Sequence, residues 1–281
     1  MTGDFRAFAR EKIMIMSAPN GARRTHADHA ALPMTPMELA DCAERIRDAG
    51  ASVLHLHVRD DEGRHSLDAD RYRTALGAIR ERLGNDLVLQ VTTEAVGMYN
   101  RDQQMALVRD LRPEAVSLAL REICPTDDDL SDASAFFSWC VAEHIWTQFI
   151  LYDPKDLTRF EEMRRQGVFG QDHPSALFVL GRYAADLTGD PAELGLFLAA
   201  AGEIGFPWTC CCFGKTELDA MQKAADLGGH ARLGFENNLL MEDGTIAPDN
   251  AALIEQLVSR LGPTGRLPAR ADDIRNAFFP L

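Results

Sequence analysis

The chain has 281 residues, of which 46% are hydrophobic and 26% are charged. This composition is typical of a soluble globular protein, and barrels of alternating strands and helices routinely reach about 250 residues as one domain. Acidic residues outnumber basic ones by 43 to 29, which gives a formal charge of −14. Such a surface disfavours nucleic acid and anionic membranes as partners. An anionic ligand would therefore need a local group of arginines.

No segment approaches the roughly 18 uninterrupted apolar residues of a membrane span. The first ten residues lack the apolar stretch of a signal peptide, so we expect a cytoplasmic protein.

Successive strand residues point to opposite faces, so three consecutive cysteines cannot converge on one metal ion. We expect all six cysteines to be reduced and mostly buried. They are Cys42, Cys124, Cys140, Cys210, Cys211 and Cys212.

Short apolar runs alternate with longer amphipathic runs along the whole chain. The short runs are almost continuously apolar, as expected for parallel strands that are covered on both faces. Eight such runs predict strands: residues 12–17, 52–58, 87–92, 114–119, 146–151, 176–180, 207–213 and 231–235.

Helical patterns fill the gaps between these runs. The clearest begins at Thr35-Pro36-Met37-Glu38, which reads as a capping box, and ends at Gly50. Further helices are predicted near residues 68–84, 101–111, 131–144, 156–166, 190–203, 214–228 and 249–261. Eight strands, each followed by a helix, indicate a single-domain (β/α)8 TIM barrel over residues 1–281. The alternative is an open doubly wound sheet, but the turn after the first strand lacks the glycine-rich phosphate pattern of that fold.

The most informative motif is His55-Leu56-His57, at the end of the second predicted strand. A spacing of two places both imidazoles on the same face, near the carboxyl end of the barrel, where active sites of this fold lie. Two adjacent inward imidazoles are costly to desolvate unless they bind a metal or are hydrogen-bonded in the core. A catalytic metal site needs a third protein ligand. Glu236 follows the last strand, near the second strand in a closed barrel, and is the candidate; its alternative role is a helix cap or a solvated carboxylate.

Polar residues also follow the other strands. The loop after the first strand contains Arg23 and Arg24, which indicate either capture of an anion or a solvated loop with surface ion pairs. Thr92 and Ser117, near the ends of the third and fourth strands, could hydrogen-bond a substrate carboxylate or simply pack in the barrel. The remaining histidines that we expect to be structural are His65, His144, His173 and His230.

Three segments resemble the β-keto acid cleavage enzymes: HLHVRD at residues 55–60, LPMTP at residues 32–36 and LGGHARLGFENN at residues 227–238. The resemblance extends from about residue 12 to about residue 275. It implies a homotetrameric barrel with one zinc, although two histidines and a carboxylate would also accept cobalt, nickel, manganese or iron(II). It also implies a reaction of a β-keto acid with acetyl-CoA that yields acetoacetate and a new acyl-CoA.

The resemblance assigns roles to individual residues. The metal ligands of the family correspond to His55, His57 and Glu236, and its catalytic arginine corresponds to Arg232. Its hydroxyl-bearing substrate contacts correspond to Thr92 and Ser117.

Three positions depart from the family pattern. Asn237 stands where the family has an aspartate base, and an amide cannot take up a proton at neutral pH. We therefore expect Glu94, or else Glu122, to be the proton acceptor. Arg23 stands where an amine-binding member has a carboxylate, which predicts a substrate tail without positive charge. Residues 181–185 replace a glycine-rich stretch associated with CoA contact.

Two other functions stay open at this stage. A metallohydrolase of the amidohydrolase type also uses a His-x-His strand end, but it needs further histidines after the middle strands and an aspartate after the last. A barrel that binds a metal or metabolite without turnover is the second, and Asn237 keeps it open.

Overall fold

Eight parallel strands form a closed barrel in the computed structural model, which describes residues 4–184 and 186–279. Each strand pairs with the next along the chain, and the eighth pairs with the first. The fold is therefore the predicted TIM barrel and not an open doubly wound sheet. The barrel strands are Ile15–Ser17 (β1), Val53–Leu56 (β2), Val88–Thr92 (β3), Ala115–Ala119 (β4), Trp146–Leu151 (β5), Ser175–Leu180 (β6), Trp208–Cys212 (β7) and His230–Leu233 (β8).

Helices surround the barrel, and none that the structure describes is long and apolar enough to span a membrane. The α-helices are Phe5–Glu11 (α1), Pro36–Ala49 (α2), Ala69–Leu83 (α3), Arg101–Leu111 (α4), Leu120–Ile123 (α5), Leu130–Ala142 (α6), Pro154–Arg165 (α7), Leu194–Ala201 (α8), Glu217–Asp226 (α9), Asn250–Arg260 (α10) and Ala271–Phe278 (α11). Three short 3-10 turns, Asp127–Asp129, Pro191–Glu193 and Gly262–Thr264, lie between them.

The ends of α2 follow the local signals in the sequence. The hydroxyl of Thr35 accepts a hydrogen bond from the backbone N–H of Glu38 at 3.2 Å, and the Glu38 carboxylate accepts one from the backbone N–H of Thr35 at 2.9 Å. Gly50 ends the helix with a φ of 113°, a left-handed conformation that favours glycine. The predicted capping box is confirmed.

Two predicted strands are interrupted. In the first, Lys12–Ile13 pairs with Leu267–Pro268, and only Ile15–Ser17 joins the barrel. In the second, the chain leaves the barrel after Leu56, and Val58–Arg59 forms a small antiparallel ladder with His65–Ser66. Continuous apolar character predicts burial but does not show which neighbouring strand accepts each hydrogen bond.

The amino-terminal end of the barrel is closed by α1 and α11, neither of which we predicted. Phe278 packs against the ring of Trp146 at 5.9 Å, and both belong to a buried cluster at this end. The ring of His230 lies there too, where its Nδ1 accepts a hydrogen bond from the backbone N–H of Met14 at 3.2 Å. His230 is therefore structural, as expected, although it is the first residue of β8 and does not precede it.

The cysteine triplet lies in β7 with alternating directions. Cys210 and Cys212 pack in the large core cluster, whereas Cys211 packs with Leu177 and Val179. All six cysteines are free and buried. This confirms that the triplet is a packing feature of the strand.

A buried carboxyl group supports the turn that follows β8. Glu217, at the start of α9, accepts hydrogen bonds from the backbone N–H of Gly234 at 3.1 Å and from the side chain of Asn238 at 3.3 Å. Burial raises the pKa of Glu217 to about 8. The folded protein therefore retains this proton over a pH range in which the unfolded chain has released it.

This pKa predicts a pH-dependent stability. Between the ordinary glutamate pKa of 4.5 and about 8, the folded state binds more protons, so stability falls as pH rises, by up to about 1.4 kcal/mol per pH unit. Glu217→Gln removes this loss, so its stability relative to wild type should increase from pH 5 to pH 8. Urea unfolding at several pH values measures the difference. The exposed substitution Glu81→Gln is the control, and a difference for Glu217→Gln that does not vary with pH would contradict the prediction.

Candidate metal centre and active site

His55, His57 and Glu236 meet at the carboxyl end of the barrel. The Nε2 atoms of His55 and His57 lie 3.2 Å apart, and Oε2 of Glu236 lies 3.7 Å from the first and 3.3 Å from the second. Ligand atoms about 2.0–2.2 Å from one tetrahedral ion are separated by roughly 3.3 Å. The three side chains therefore fit a divalent metal, and they form the one such cluster of His, Cys, Asp or Glu within the described residues.

The position of His57 depends on Asn20, in the loop after β1. The amide of Asn20 donates a hydrogen bond to the backbone carbonyl of His57 at 2.8 Å and accepts one from its backbone N–H at 3.2 Å. Asn20 therefore supplies the hydrogen bonds that a neighbouring strand would supply, at the point where the chain leaves β2. This local arrangement holds the ring of His57 over the end of the barrel.

A chain of polar side chains inside the barrel orients His55. Its Nδ1–H donates to the side-chain oxygen of Gln90 at 2.8 Å. The amide of Gln90 donates to Gln148 at 3.3 Å, and that of Gln148 donates to Thr209 at 3.1 Å. With Nδ1 protonated, Nε2 of His55 keeps a free lone pair directed at the cluster. Outer-shell hydrogen bonds of this kind fix the tautomer of metal-binding histidines.

Two glycines allow Glu236 to approach the cluster. Gly234 has a φ of 140°, and a Cβ atom there would lie 2.5 Å from the carbonyl oxygen of Ala18. A Cβ atom on Gly21 would lie 2.6 Å from Cγ of Glu236. The backbone N–H of Glu236 donates to the Ala18 carbonyl at 3.0 Å. The loop after β1 and the turn after β8 therefore pack together with no room for side chains at these positions.

Arg232, on β8, forms a buried ion pair with Glu236. Burial would raise the pKa of Glu236, but the charge of Arg232 and the proximity of His57 outweigh it and hold that pKa well below its usual range. Burial and the charge of Arg232 also lower the pKa of His55. The cluster therefore combines an ionised carboxylate with a neutral imidazole, which are the protonation states that bind a metal.

Glu94 lies beside the cluster, in the wall of the cavity. Its Oε2 is 4.0 Å from Nδ1 of His57, and its Oε1 is 3.7 Å from Arg23 and 3.6 Å from Arg182. Burial raises the pKa of Glu94, although His57 and Arg23 act against this. Glu122, the second carboxylate that we considered, instead binds the side chain of Gln104 at 2.6 Å and does not line the cavity.

The other expected site residues occupy different environments. Thr92 lines the cavity, and its hydroxyl accepts the backbone N–H of Glu94 at 3.0 Å. Asn237 also lines it, and its buried amide has no hydrogen-bond partner among the described residues. Ser117 pairs in register with Thr92, but its buried hydroxyl lies outside the cavity lining. Thr92 and Asn237 therefore face bound molecules more directly than Ser117.

The two arginines after β1 behave differently. Arg23 is 59% exposed and faces Glu94. Arg24 instead donates to the backbone carbonyl of Phe235, and burial lowers its pKa. The guanidinium of Arg24 therefore stabilises the turn that carries Glu236, and capture of an anion by the two arginines stays a prediction.

Several residues of this site were missed in the sequence. Arg182 and Tyr152 line the cavity, each within two residues of a strand end, and Gln90 lies two residues before Thr92 on the inner face of β3. Two signals in the sequence could have identified them. Tyr152 and Arg182 follow predicted strand ends, and Gln90 lies two residues from Thr92, so both point to the same face of the strand. His65 was expected to be structural, and its ring packs 5.0 Å from that of His57 while its Nε2–H donates to the Glu94 carbonyl at 3.0 Å.

Known proteins with similar sequences have related names. The chain is 29% identical over 270 residues to a 3-keto-5-aminohexanoate cleavage enzyme from Fusobacterium nucleatum, covering 94% of this chain and 97% of that protein. It is 27% identical to a 3-oxoadipate:acetyl-CoA acetyltransferase from Cupriavidus necator, covering 91% of this chain and 90% of that protein.

A solved structure supports the fold. A binary complex of ObcA with oxaloacetate superimposes with a TM-score of 0.69 over 88% of this chain and 67% of that chain, at 16% identity. Residues 12–278 match the sequence profile of one family along almost the whole chain. With this match and the barrel, the protein belongs to the beta-keto acid cleavage enzyme family, BKACE.

Proposed function

We propose that the protein is a metal-dependent β-keto acid cleavage enzyme that uses acetyl-CoA as its second substrate. The products are acetoacetate and a new acyl-CoA. The observation that carries this proposal is the cluster of His55, His57 and Glu236 beside Arg232, in a chain whose family relatives are named for reactions of β-keto acids. The name of the relative from Cupriavidus necator, a 3-oxoadipate:acetyl-CoA acetyltransferase, supports acetyl-CoA as co-substrate. The same family membership favours a homotetramer.

His55, His57 and Glu236 would hold the metal, for which zinc suits the donor set best, with cobalt, nickel, manganese or iron(II) as alternatives. When bound, the metal supplies Lewis-acid chemistry, which makes the carbon between the keto and carboxylate groups of the substrate easier to deprotonate. The distances of 3.2–3.7 Å between the ligand atoms support this assignment.

Arg232, Thr92 and Ser117 would position the substrate. The guanidinium of Arg232 is buried at the cluster, so it can hold a carboxylate or stabilise negative charge as it develops. The hydroxyl of Thr92 lines the same cavity and can contact the substrate carboxylate. Ser117 is the register partner of Thr92 on the next strand, but its hydroxyl lies outside the cavity lining, so a substrate contact would require a small shift of its side chain.

Glu94 would accept the proton of the substrate carbon. Its carboxylate faces the cavity, and burial raises its pKa, which makes it a stronger base than an exposed glutamate. The deprotonated carbon then attacks the thioester carbonyl of acetyl-CoA and releases the CoA thiolate. The thiolate attacks the keto carbon of the adduct, and cleavage of the carbon–carbon bond yields the new acyl-CoA and the enolate of acetoacetate, which takes the proton back from Glu94 to give acetoacetate. Asn237 cannot act as a base, but its amide can hydrogen-bond the substrate.

The structure does not favour a hydrolase of the amidohydrolase type. The cavity-lining residues near the ends of β5 and β6 are Ile150, Tyr152, Val179 and Arg182, and none of them is a histidine, which such a site needs there. The carboxylate after β8 is Glu236, where that family has an aspartate.

The first prediction concerns the metal. Protein purified without chelator should contain about one divalent ion per chain by elemental analysis. His57→Ala should lose both this ion and the activity, because it removes one of three ligands. His173→Ala is the control, since His173 binds the carbonyl of Gly205 outside the cluster. Full metal occupancy in His57→Ala would show that the ligand assignment is wrong.

The second prediction concerns the base. Glu94→Gln should lower kcat at least about a hundredfold, the usual scale for loss of a general base. It should also abolish the fall of kcat/KM toward acidic pH that protonation of Glu94 causes in wild type. Glu122→Gln, which alters a carboxylate outside the cavity, should change kcat less than about threefold. If Asn237→Ala cripples the enzyme and Glu94→Gln does not, another group accepts the proton.

The third prediction concerns Arg23. A cationic substrate tail near this guanidinium meets a like charge, so wild type should prefer an alkyl-tailed β-keto acid over an amino-tailed one. Arg23→Glu should shift the ratio of the two kcat/KM values at least about fivefold toward the amino tail. A wild-type preference for the amino tail would show that Arg23 does not select the substrate.

A further inference from the structure

Arg182 extends into the cavity from the loop after β6. Its side chain is 18% exposed, and its guanidinium lies over the ring of Phe213 at 5.6 Å. The backbone is tightly packed at Gly181, where an added Cβ atom would lie 2.2 Å from the backbone nitrogen of Gly189. That nitrogen donates to the carbonyl of Phe213 at 2.8 Å. The arginine is therefore presented to the cavity by a tightly packed backbone.

The donors of Arg182 are not used within the described residues. Among the residues that the structure describes, its single ionic neighbour is Oε1 of Glu94 at 3.6 Å, and Arg23 faces the same oxygen at 3.7 Å. Both distances exceed a hydrogen bond. Two guanidinium groups thus share one carboxylate, which leaves one positive charge in excess at this wall. By contrast, Arg121 nearby is bound by Asp156 at 2.6 Å.

We propose that Arg182 binds a carboxylate at the far end of the substrate, so that the preferred substrates are β-keto dicarboxylic acids. This inference rests on the proposed function, which places the β-keto acid group at His57 and Arg232. Glu94 contacts both regions, with Oε2 4.0 Å from His57 and Oε1 3.6 Å from Arg182. His57 and Arg182 therefore lie on either side of a single carboxylate group, and this short separation suits a short acid.

The position of Arg182 favours a substrate carboxylate over a phosphate of CoA. Arg182 lines the same small cavity as the proposed metal ligands. The phosphates of a CoA thioester are separated from its reacting carbonyl by the whole pantetheine arm. An arginine that binds them would lie outside the cavity. A carboxylate in the cavity would gain charge-assisted and bidentate hydrogen bonds from Arg182.

Binding of non-reacting analogues tests this proposal without turnover. Titration calorimetry on the zinc-loaded protein, without acetyl-CoA, compares 3-hydroxyadipate with 3-hydroxyhexanoate. Wild type should bind the dicarboxylate at least about tenfold more tightly. Arg182→Met should lose at least about tenfold for the dicarboxylate and less than about twofold for the monocarboxylate. Arg159→Met, which alters an arginine paired with Asp127 outside the cavity, is the control and should retain the preference.

Kinetics separate failure of this inference from failure of the proposed function. With acetyl-CoA, the kcat/KM of wild type should be higher for 3-oxoadipate than for 3-oxohexanoate, and Arg182→Met should remove the difference. Equal binding of the two analogues by wild type, or equal weakening of both by the substitution, overturns the inference even if both keto acids react. A raised KM for acetyl-CoA alone would assign Arg182 to a CoA phosphate and also overturns it. Absence of any reaction refutes the proposed function, whereas the binding comparison still decides the role of Arg182.

Discussion

The buried ion pair between Arg232 and Glu236 constrains the carboxyl end of the barrel more than any other interaction. Removing two charges from water is expensive unless geometry and additional hydrogen bonds compensate. Glu236 reaches Arg232 and the histidines because the turn after β8 lies directly against the loop after β1. Gly234 and Gly21 permit this close packing of the two segments. Arg24 then donates a hydrogen bond to the backbone carbonyl of Phe235 within this turn. The path of the backbone here follows from the requirement to keep Glu236 ionised in a buried position.

The histidines are oriented by neutral groups, which keeps the charge of the cluster low. Gln90 fixes the ring of His55 through a side-chain oxygen, and Asn20 fixes His57 through its backbone. A carboxylate in place of Gln90 would add a second buried charge next to Glu236, and repulsion would raise the pKa of one of them. An amide orients the ring without this penalty. The relay through Gln148 and Thr209 satisfies the remaining polar atoms of Gln90.

The sequence predicted the fold and the centre of the candidate site because both depend on short-range periodicity. Eight apolar runs gave eight strands, and a spacing of two placed His55 and His57 on one face. The sequence did not separate Arg23 from Arg24, because a one-residue difference in a loop carries no periodic signal. Their directions depend on tertiary partners, Glu94 for the first and the Phe235 carbonyl for the second. The small ladder between Val58–Arg59 and His65–Ser66 was missed for the same reason. Its strands are two residues long, so the sequence carries no periodic signal for them.

With Glu94 as the proposed base, proton transfer would be linked to substrate recognition, because its carboxylate faces His57 through one oxygen and Arg23 and Arg182 through the other. Burial favours its protonated form, whereas Arg23 and His57 favour its ionised form. When an anionic tail binds the arginines, their charge is partly neutralised and no longer stabilises the ionised carboxylate. The pKa of Glu94 then rises, and the carboxylate becomes a stronger base toward the substrate carbon. A dicarboxylic substrate would thereby increase the basicity of the group that deprotonates it, an effect that a neutral tail cannot produce.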